Sequence, residues 1–252
     1  MLSNGELDMI SAQHECIFVH IPKTGGQSVE TLFLNLLGLT WQTREPLLLK
    51  HNFDPAKGPE RLGHLRARDY VHHGYVDQAA FDRYYKFGFV RNPWDRLVSE
   101  YRYLKLEGKV GFADFAEGSL HRADTYWAGG IHIIPQSDYL TDDRGQIIVD
   151  FVGRFETLRK DFTSVAERLR IDMPLPHCNS SSHHGRFARL RQLVAGGASK
   201  AGGKGRPYQD YYDLRLRELV GSFYAEDIER FGYRFDGAHS SEPIAARSPV
   251  LA

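Results

Sequence analysis

Only two of the 252 residues are cysteine, Cys16 and Cys178. A pair so far apart is neither a disulfide framework nor a zinc ligand set, and it suits a reducing compartment. Long apolar runs are also missing. No stretch approaches the ~18 residues that a membrane span needs, and the longest block, 29–39, is broken by Glu30 and Asn35. The first residues, MLSNGELDMISAQHE, have no basic start followed by an apolar core, so they do not read as a secretory signal. The expectation is a cytoplasmic, bacterial-type soluble protein. Net charge is absent too: Lys plus Arg and Asp plus Glu both number 32. That balance argues against bulk binding to nucleic acid or to an acidic membrane. No solenoid-type repeat is found.

What is present is an ordinary globular composition, 42% hydrophobic and 25% charged. The length suits one α/β domain with its own core, read here as residues 15–236. A polar, loose N-terminus (1–14) and a frayed tail (237–252) flank it. Cys16-Ile17-Phe18-Val19-His20-Ile21 is a short apolar run, the mark of a buried strand. Pro22 to Ser28 break it. Val29, Leu32, Phe33, Leu36 and Leu37 then fall at helical spacing, and Gly38 ends the pattern. A second unit repeats this order: strand 84–90, a turn at Arg91-Asn92-Pro93, and a helix through Leu97, Val98, Tyr101 and Leu104. Asn92 is suited to cap that helix and Pro93 to its first position. A third strand is expected at 151–155, followed by a helix through Leu158, Phe162, Val165 and Leu169. A last helix is expected from about Tyr208 to Phe231. Strands alternating with helices imply a mostly parallel sheet covered on both faces.

The loop between the first strand and helix carries the clearest chemistry. A helix N-terminus offers unpaired N–H groups and partial positive charge, and glycines let the backbone approach an anion. Gly25 and Gly26 supply the glycines, Lys23 a mobile cation, and Thr24, Gln27 and Ser28 further donors. Lysine precedes both glycines here, whereas a Walker A loop places it after the last one, ahead of a magnesium-binding hydroxyl. A nucleotide phosphate fits; a magnesium-bound triphosphate fits poorly. Arg91 ends the second strand, where ligands bind in open α/β sheets, and Ser99 follows about two helical turns later. Arg91 is suited to pair with a terminal phosphate in bidentate fashion. Two anion-binding strand ends suit a ligand with two separated phosphate-like groups.

His20-Ile21-Pro22-Lys23-Thr24-Gly25-Gly26-Gln27-Ser28 resembles the 5′-phosphosulfate loop of carbohydrate sulfotransferases of the family 2 type, and Phe89 to Ser99 resembles their 3′-phosphate element. Phe151 to Glu156 and Tyr208 to Phe235 are similar to that family as well. The resemblance implies a P-loop, nucleotide-kinase-like parallel sheet flanked by helices in a single domain. It implies transfer of a sulfuryl group from 3′-phosphoadenosine 5′-phosphosulfate to a hydroxyl of a carbohydrate or related acceptor, with adenosine 3′,5′-bisphosphate as product and no metal required. Lys23 would then stabilise the leaving phosphate. The backbone of Thr24 to Ser28, with the Thr24 and Ser28 hydroxyls, would hold the 5′-phosphate, and Arg91 and Ser99 the 3′-phosphate.

Transfer to a hydroxyl needs a proton acceptor, a task that suits histidine near neutral pH. His64 resembles the base of a Gly-His element in uronyl 2-O-sulfotransferases, with His73 as the alternative; His20 suits a loop-orienting role. From Asn179 to Glu218 eight cations face three anions. Within the glycine-rich part of that stretch, Lys204 and Arg206 are the ligand-contact candidates. Arg66, Arg68, Tyr103 and Trp127 are candidates for the acceptor cleft. Two other readings stay open at this point: a kinase-like phosphotransferase, disfavoured by loop order, and a non-catalytic nucleotide sensor or scaffold.

Overall fold

The computed structural model describes residues 9–122, 130–178, 206–240 and 244. Four strands form one sheet in the order β1-β2-β3-β4: β1 (Ile10–Ser11), β2 (Cys16–Val19), β3 (Tyr85–Val90) and β4 (Phe151–Arg154). β2, β3 and β4 are parallel, with Phe18 opposite Phe87 and Phe87 opposite Phe151. The short β1 runs antiparallel on the β2 edge. Residues 9–14, expected to be loose, thus supply a strand, and Met9 and Ile10 are buried.

Alternation along the strands sorts side chains to the two faces. Cys16, Phe18, Phe87 and Phe89 pack under α1 (Gly26–Leu36) and, by way of Phe162, Val165 and Leu169, under a long helix at Leu158–Leu169. Ile17, Val19, Val90 and Val152 face the other way, onto Leu65, Tyr70, Tyr139 and Phe231. Gly153 leaves room for the Phe89 ring; a Cβ there would lie 2.5 Å from it. On this second face, α2 (Asp69–His72) and α3 (Gln78–Arg83) precede β3. A third core lies between α4 (Pro93–Tyr103), α5 (Phe112–Leu120) and the C-terminal helices, around Trp94, Tyr101 and Phe112. α6 (Gln136–Leu140), α7 (Leu158–Leu169), α8 (Leu214–Phe223) and α9 (Ala225–Phe231) complete the helices used below.

The fold class is as expected, an α/β sheet flanked by helices. Several boundaries differ: β2 ends at Val19 and β3 begins at Tyr85. The first helix begins at Gly26, a turn before its apolar stripe, because α1 starts directly on the glycine loop. The third strand stops at Arg154. The single helix expected over 208–231 is three elements: a 3₁₀ turn at Tyr208–Tyr211, α8 and α9. Asp213 caps α8 by accepting from the Leu216 N–H at 2.7 Å, and Tyr224 separates the two helices. The described start of the tail folds back, with the Arg234 N–H donating to the Ala238 carbonyl at 2.9 Å. Among the described residues no helix is long and apolar enough to cross a membrane.

Candidate active site

The carboxyl ends of β2, β3 and β4 open onto one cavity of about 970 Å³. Parallel strands deliver their following loops to the same edge, so residues distant in sequence meet there. After β2, Lys23 and Gly25 both take left-handed backbone conformations, at φ +70° and +87°. The Thr24 hydroxyl donates to the Ile21 carbonyl at 2.8 Å and locks the turn from beneath. Gly25 is the N-cap of α1 and no side chain caps that end, so its first N–H groups are available to an anion. Glycine is required at both positions. A Cβ on Gly25 would lie 2.7 Å from Leu158, and one on Gly26 2.0 Å from Nε2 of His20. His20 itself is buried, stacked on Phe18, with Nδ1 2.6 Å from Glu30 Oε1.

After β3, Arg91 lies on the cavity wall with its guanidinium already ordered. Nε and Nη2 donate to Asp95 Oδ2 at 2.9 and 2.8 Å, Nη1 donates to the Lys23 carbonyl at 3.1 Å, and the plane covers the Phe155 ring. The backbone on either side is pinned. The Arg91 N–H donates to Gln136 Oε1 and its carbonyl accepts from Gln136 Nε2, both at 2.8 Å. Asp227 in α9 holds Gln136 in turn, accepting the Gln136 and Ser137 N–H groups at 2.7 and 2.8 Å. Burial raises the Asp227 pKa, and these bonds oppose the rise. Asn92 caps α4 by accepting from the Trp94 N–H, as its sequence position implies. Ser99, two turns along α4, also lines the cavity.

Across from the loop stands His64. Its Nδ1 is 3.0 Å from the His20 carbonyl, an acceptor, so Nδ1 carries the proton and Nε2 the lone pair. Burial, then the positive charge available to His20 and His132, holds its pKa well below the ordinary value. His64 is therefore a neutral imidazole at pH 7. Lys23 Nζ sits 3.9 Å above the Tyr103 ring. Burial lowers its pKa to about 8, the Glu100 carboxylate opposes that change, and Arg91 adds to it. His132 joins the same wall, its Nδ1 3.0 Å from Glu100 Oε2. A neutral imidazole, a desolvated ammonium and an uncapped helix start thus share one cavity.

The sequence was compared with known proteins. A model described as the sulfotransferase family matches residues 9–234. The chain belongs to the sulfotransferase family. An uncharacterized protein of Archaeoglobus fulgidus is 33% identical over 98 residues, which are 37% of this chain and 74% of that protein. No solved structure matches the chain.

In this sulfotransferase, Lys23, Gly25, Gly26, Gln27, Ser28, Arg91, Ser99 and His64 are brought to the cavity wall, with Thr24 buried directly beneath. Gln27 Oε1 is buried without a hydrogen-bond partner among the described residues. His73 is not on that wall; its Nδ1 lies 2.9 Å from the Ala56 carbonyl. Arg206 also lies off it, against Asp210 and the Tyr211 ring. Lys204 and Trp127 fall outside the described residues. Arg66 and Arg68 bind Asp138 and do not line the cleft. Tyr103 does line it, as expected. Sequence reasoning missed His132, Glu100, Gln136 and Asp227. It also missed a cationic wall made of Arg44, Lys50, Arg61, Arg159 and Lys160. One signal was present in the motif itself: Arg96, fully buried, donates to the Pro22, Ile134 and His132 carbonyls and ties the glycine loop to the His132 segment.

Proposed function

We propose that this sulfotransferase moves a sulfuryl group from 3′-phosphoadenosine 5′-phosphosulfate to a hydroxyl of a carbohydrate or related acceptor, with His64 as the proton acceptor and without a metal ion. One observation carries the reading. A neutral imidazole with its lone pair on Nε2 and a half-buried lysine stand on the wall of a cavity that also holds the uncapped start of α1 and the Arg91 guanidinium. The left-handed turn at Lys23 and Gly25 and the uncapped start of α1 suit a 5′-phosphate. Arg91 and Ser99 suit a second phosphate, the 3′ group that separates this donor from ordinary adenylates. Arg91 would share its guanidinium between that phosphate and Asp95.

The chemistry is positioning plus electrostatic stabilisation. The acceptor O–H bond breaks and its proton passes to Nε2 of His64 while the new O–S bond forms. The bridging S–O bond breaks and its electron pair stays on the 5′-phosphate, beside the Lys23 ammonium. The spread charge of such a transfer needs little covalent help from the protein.

Titration calorimetry tests the donor class. Adenosine 3′,5′-bisphosphate without magnesium is expected to bind at least tenfold more tightly than 5′-adenylate or magnesium ATP. Binding of magnesium ATP with none of the bisphosphate would return the reading to a phosphotransferase. For the base, His64→Ala is expected to keep bisphosphate affinity and to lose about 10²–10⁴-fold in turnover. An unchanged turnover would remove His64 from the chemistry.

A further inference from the structure

Of the five histidines on the cavity wall, His20, His64 and His132 have rings in mutual contact, and each of these three has its Nδ1 beside an acceptor. The acceptors differ. His20 meets Glu30, but its ring is wedged against Gly26 and stacked on Phe18, so its place is structural. His64 meets a peptide carbonyl. His132 meets a carboxylate, Glu100, which is almost wholly buried and immediately follows Ser99. A carbonyl at Nδ1 fixes the tautomer. A buried carboxylate does that and also balances the charge of an imidazolium. Of the two imidazoles at the reacting end, His64 is suited to take a proton and His132 to keep it.

The geometry connects them. The His64 and His132 rings meet edge to face with centroids 5.4 Å apart. Arg96 holds the His132 carbonyl at 2.9 Å and the Pro22 carbonyl at 3.1 Å, so His132 is fixed relative to the Lys23 loop. The charged and titratable groups that face the pair come from several elements: His20 beside β2, Arg61 ahead of His64, Arg96 and Tyr103 from α4, and Lys23, whose ammonium interacts with Glu100.

We propose that Glu100 and His132 form the proton terminus of the transfer: the proton that His64 takes from the acceptor hydroxyl passes on to Nε2 of His132, directly or through one water, and Glu100 balances the resulting imidazolium. The proposal rests on the sulfotransferase reading above. No oxidant or further reactant enters. One proton moves from the acceptor oxygen to His64 and then to His132, His64 returns to its neutral form, and His132 gives the proton to solvent when the products leave.

Nitrogen-15 NMR of histidine-labelled protein, with adenosine 3′,5′-bisphosphate bound, tests the Glu100–His132 pairing without an acceptor. His64→Gln and His132→Gln assign the signals. The His132 Nδ1–H is expected to show the signature of a bond to a carboxylate, and Glu100→Gln is expected to remove it and to lower kcat as His132→Ala does. In turnover of the sulfated donor, His132→Ala is expected to lower kcat about 10–100-fold, leave the donor KM within twofold, and recover in part with added imidazole. A His132 Nδ1 signal unchanged by Glu100→Gln, or a wild-type kcat in His132→Ala, would overturn the proposal. Failure of the wild type to bind the bisphosphate would remove the donor assignment, and this proposal with it.

Discussion

Gly26→Ala is a perturbation whose outcome depends on one neighbour. Alanine at a helical position ordinarily gains up to about 1 kcal/mol over glycine. Here the added carbon would stand 2.0 Å from Nε2 and 2.1 Å from Cδ2 of His20, against 3.4–4 Å for ordinary contact. The ring would have to retreat by more than about 1 Å in a packed interior. It has little room to do so: His20 is 6% exposed, stacks on Phe18 at 5.4 Å, meets the His64 ring at 4.6 Å and holds Glu30 at 2.6 Å. Overpacking of this kind costs about 1–3 kcal/mol, and loosening the buried His20–Glu30 contact adds to it. A net loss of about 2–3 kcal/mol is expected after the helical gain. For a chain of this size that is a fall in Tm of about 5–10 °C. The assay is a double-mutant cycle by thermal and urea denaturation. In a His20→Ala background the clash is gone, so Gly26→Ala should gain up to about 1 kcal/mol there, and the coupling energy should exceed the single-mutant loss by that gain. An equal cost in both backgrounds, or a wild-type cost under about 0.5 kcal/mol, would refute the reasoning.

Further expectations concern the donor side. In the proposed role Lys23 would stabilise a leaving phosphate only as the ammonium, and its pKa is lowered to about 8. Donor kcat/KM should therefore fall above about pH 8, tenfold per unit, and Lys23→Arg should move that limb upward; a flat profile for about two units beyond pH 8 would count against the role. Arg91→Ala should weaken adenosine 3′,5′-bisphosphate by about 10–100-fold and leave 5′-adenylate unchanged, and equal losses for both ligands would sink the assignment. Gln136→Ala strips the Arg91 backbone of two bonds. It should cost about 1–3 kcal/mol of stability and roughly tenfold in bisphosphate affinity, whereas unchanged affinity would make Gln136 a folding residue only.

What could be read from the sequence was local. Gly25 and Gly26, the order strand–loop–helix, and Asn92 with Pro93 are short-range signals, because turn and cap chemistry acts over a few residues. The three parallel strands were legible for the same reason: apolar runs bounded by breakers. Other features were hidden by distance or by misleading local character. Glu100 reads as a polar helix residue, and only the fold shows that it is buried against His132, 32 positions away. Gln136 and Asp227 are 91 residues apart, and neither has a pattern of its own. Apolar periodicity runs on through Tyr208 to Phe231, so it cannot show the Asp213 cap or the break at Tyr224. β1 is two residues long and carries no period at all. His73 and His64 both stand in polar, histidine-bearing segments, and only the three-dimensional placement separates them.

The hold of Asp227 on Gln136, and of Gln136 on Arg91, has a consequence for how the molecule comes into being. The glycine loop is made early, whereas Asp227, which steadies Arg91 through Gln136, arrives about 200 positions later. At roughly 5–20 residues per second, a nascent chain waits about 10–40 s between the two. On the proposed reading it would carry half of a donor site during that interval, with one phosphate contact formed and the other not yet steadied. Selectivity for the donor would then belong to the folded polypeptide as a whole, conferred in part by α9.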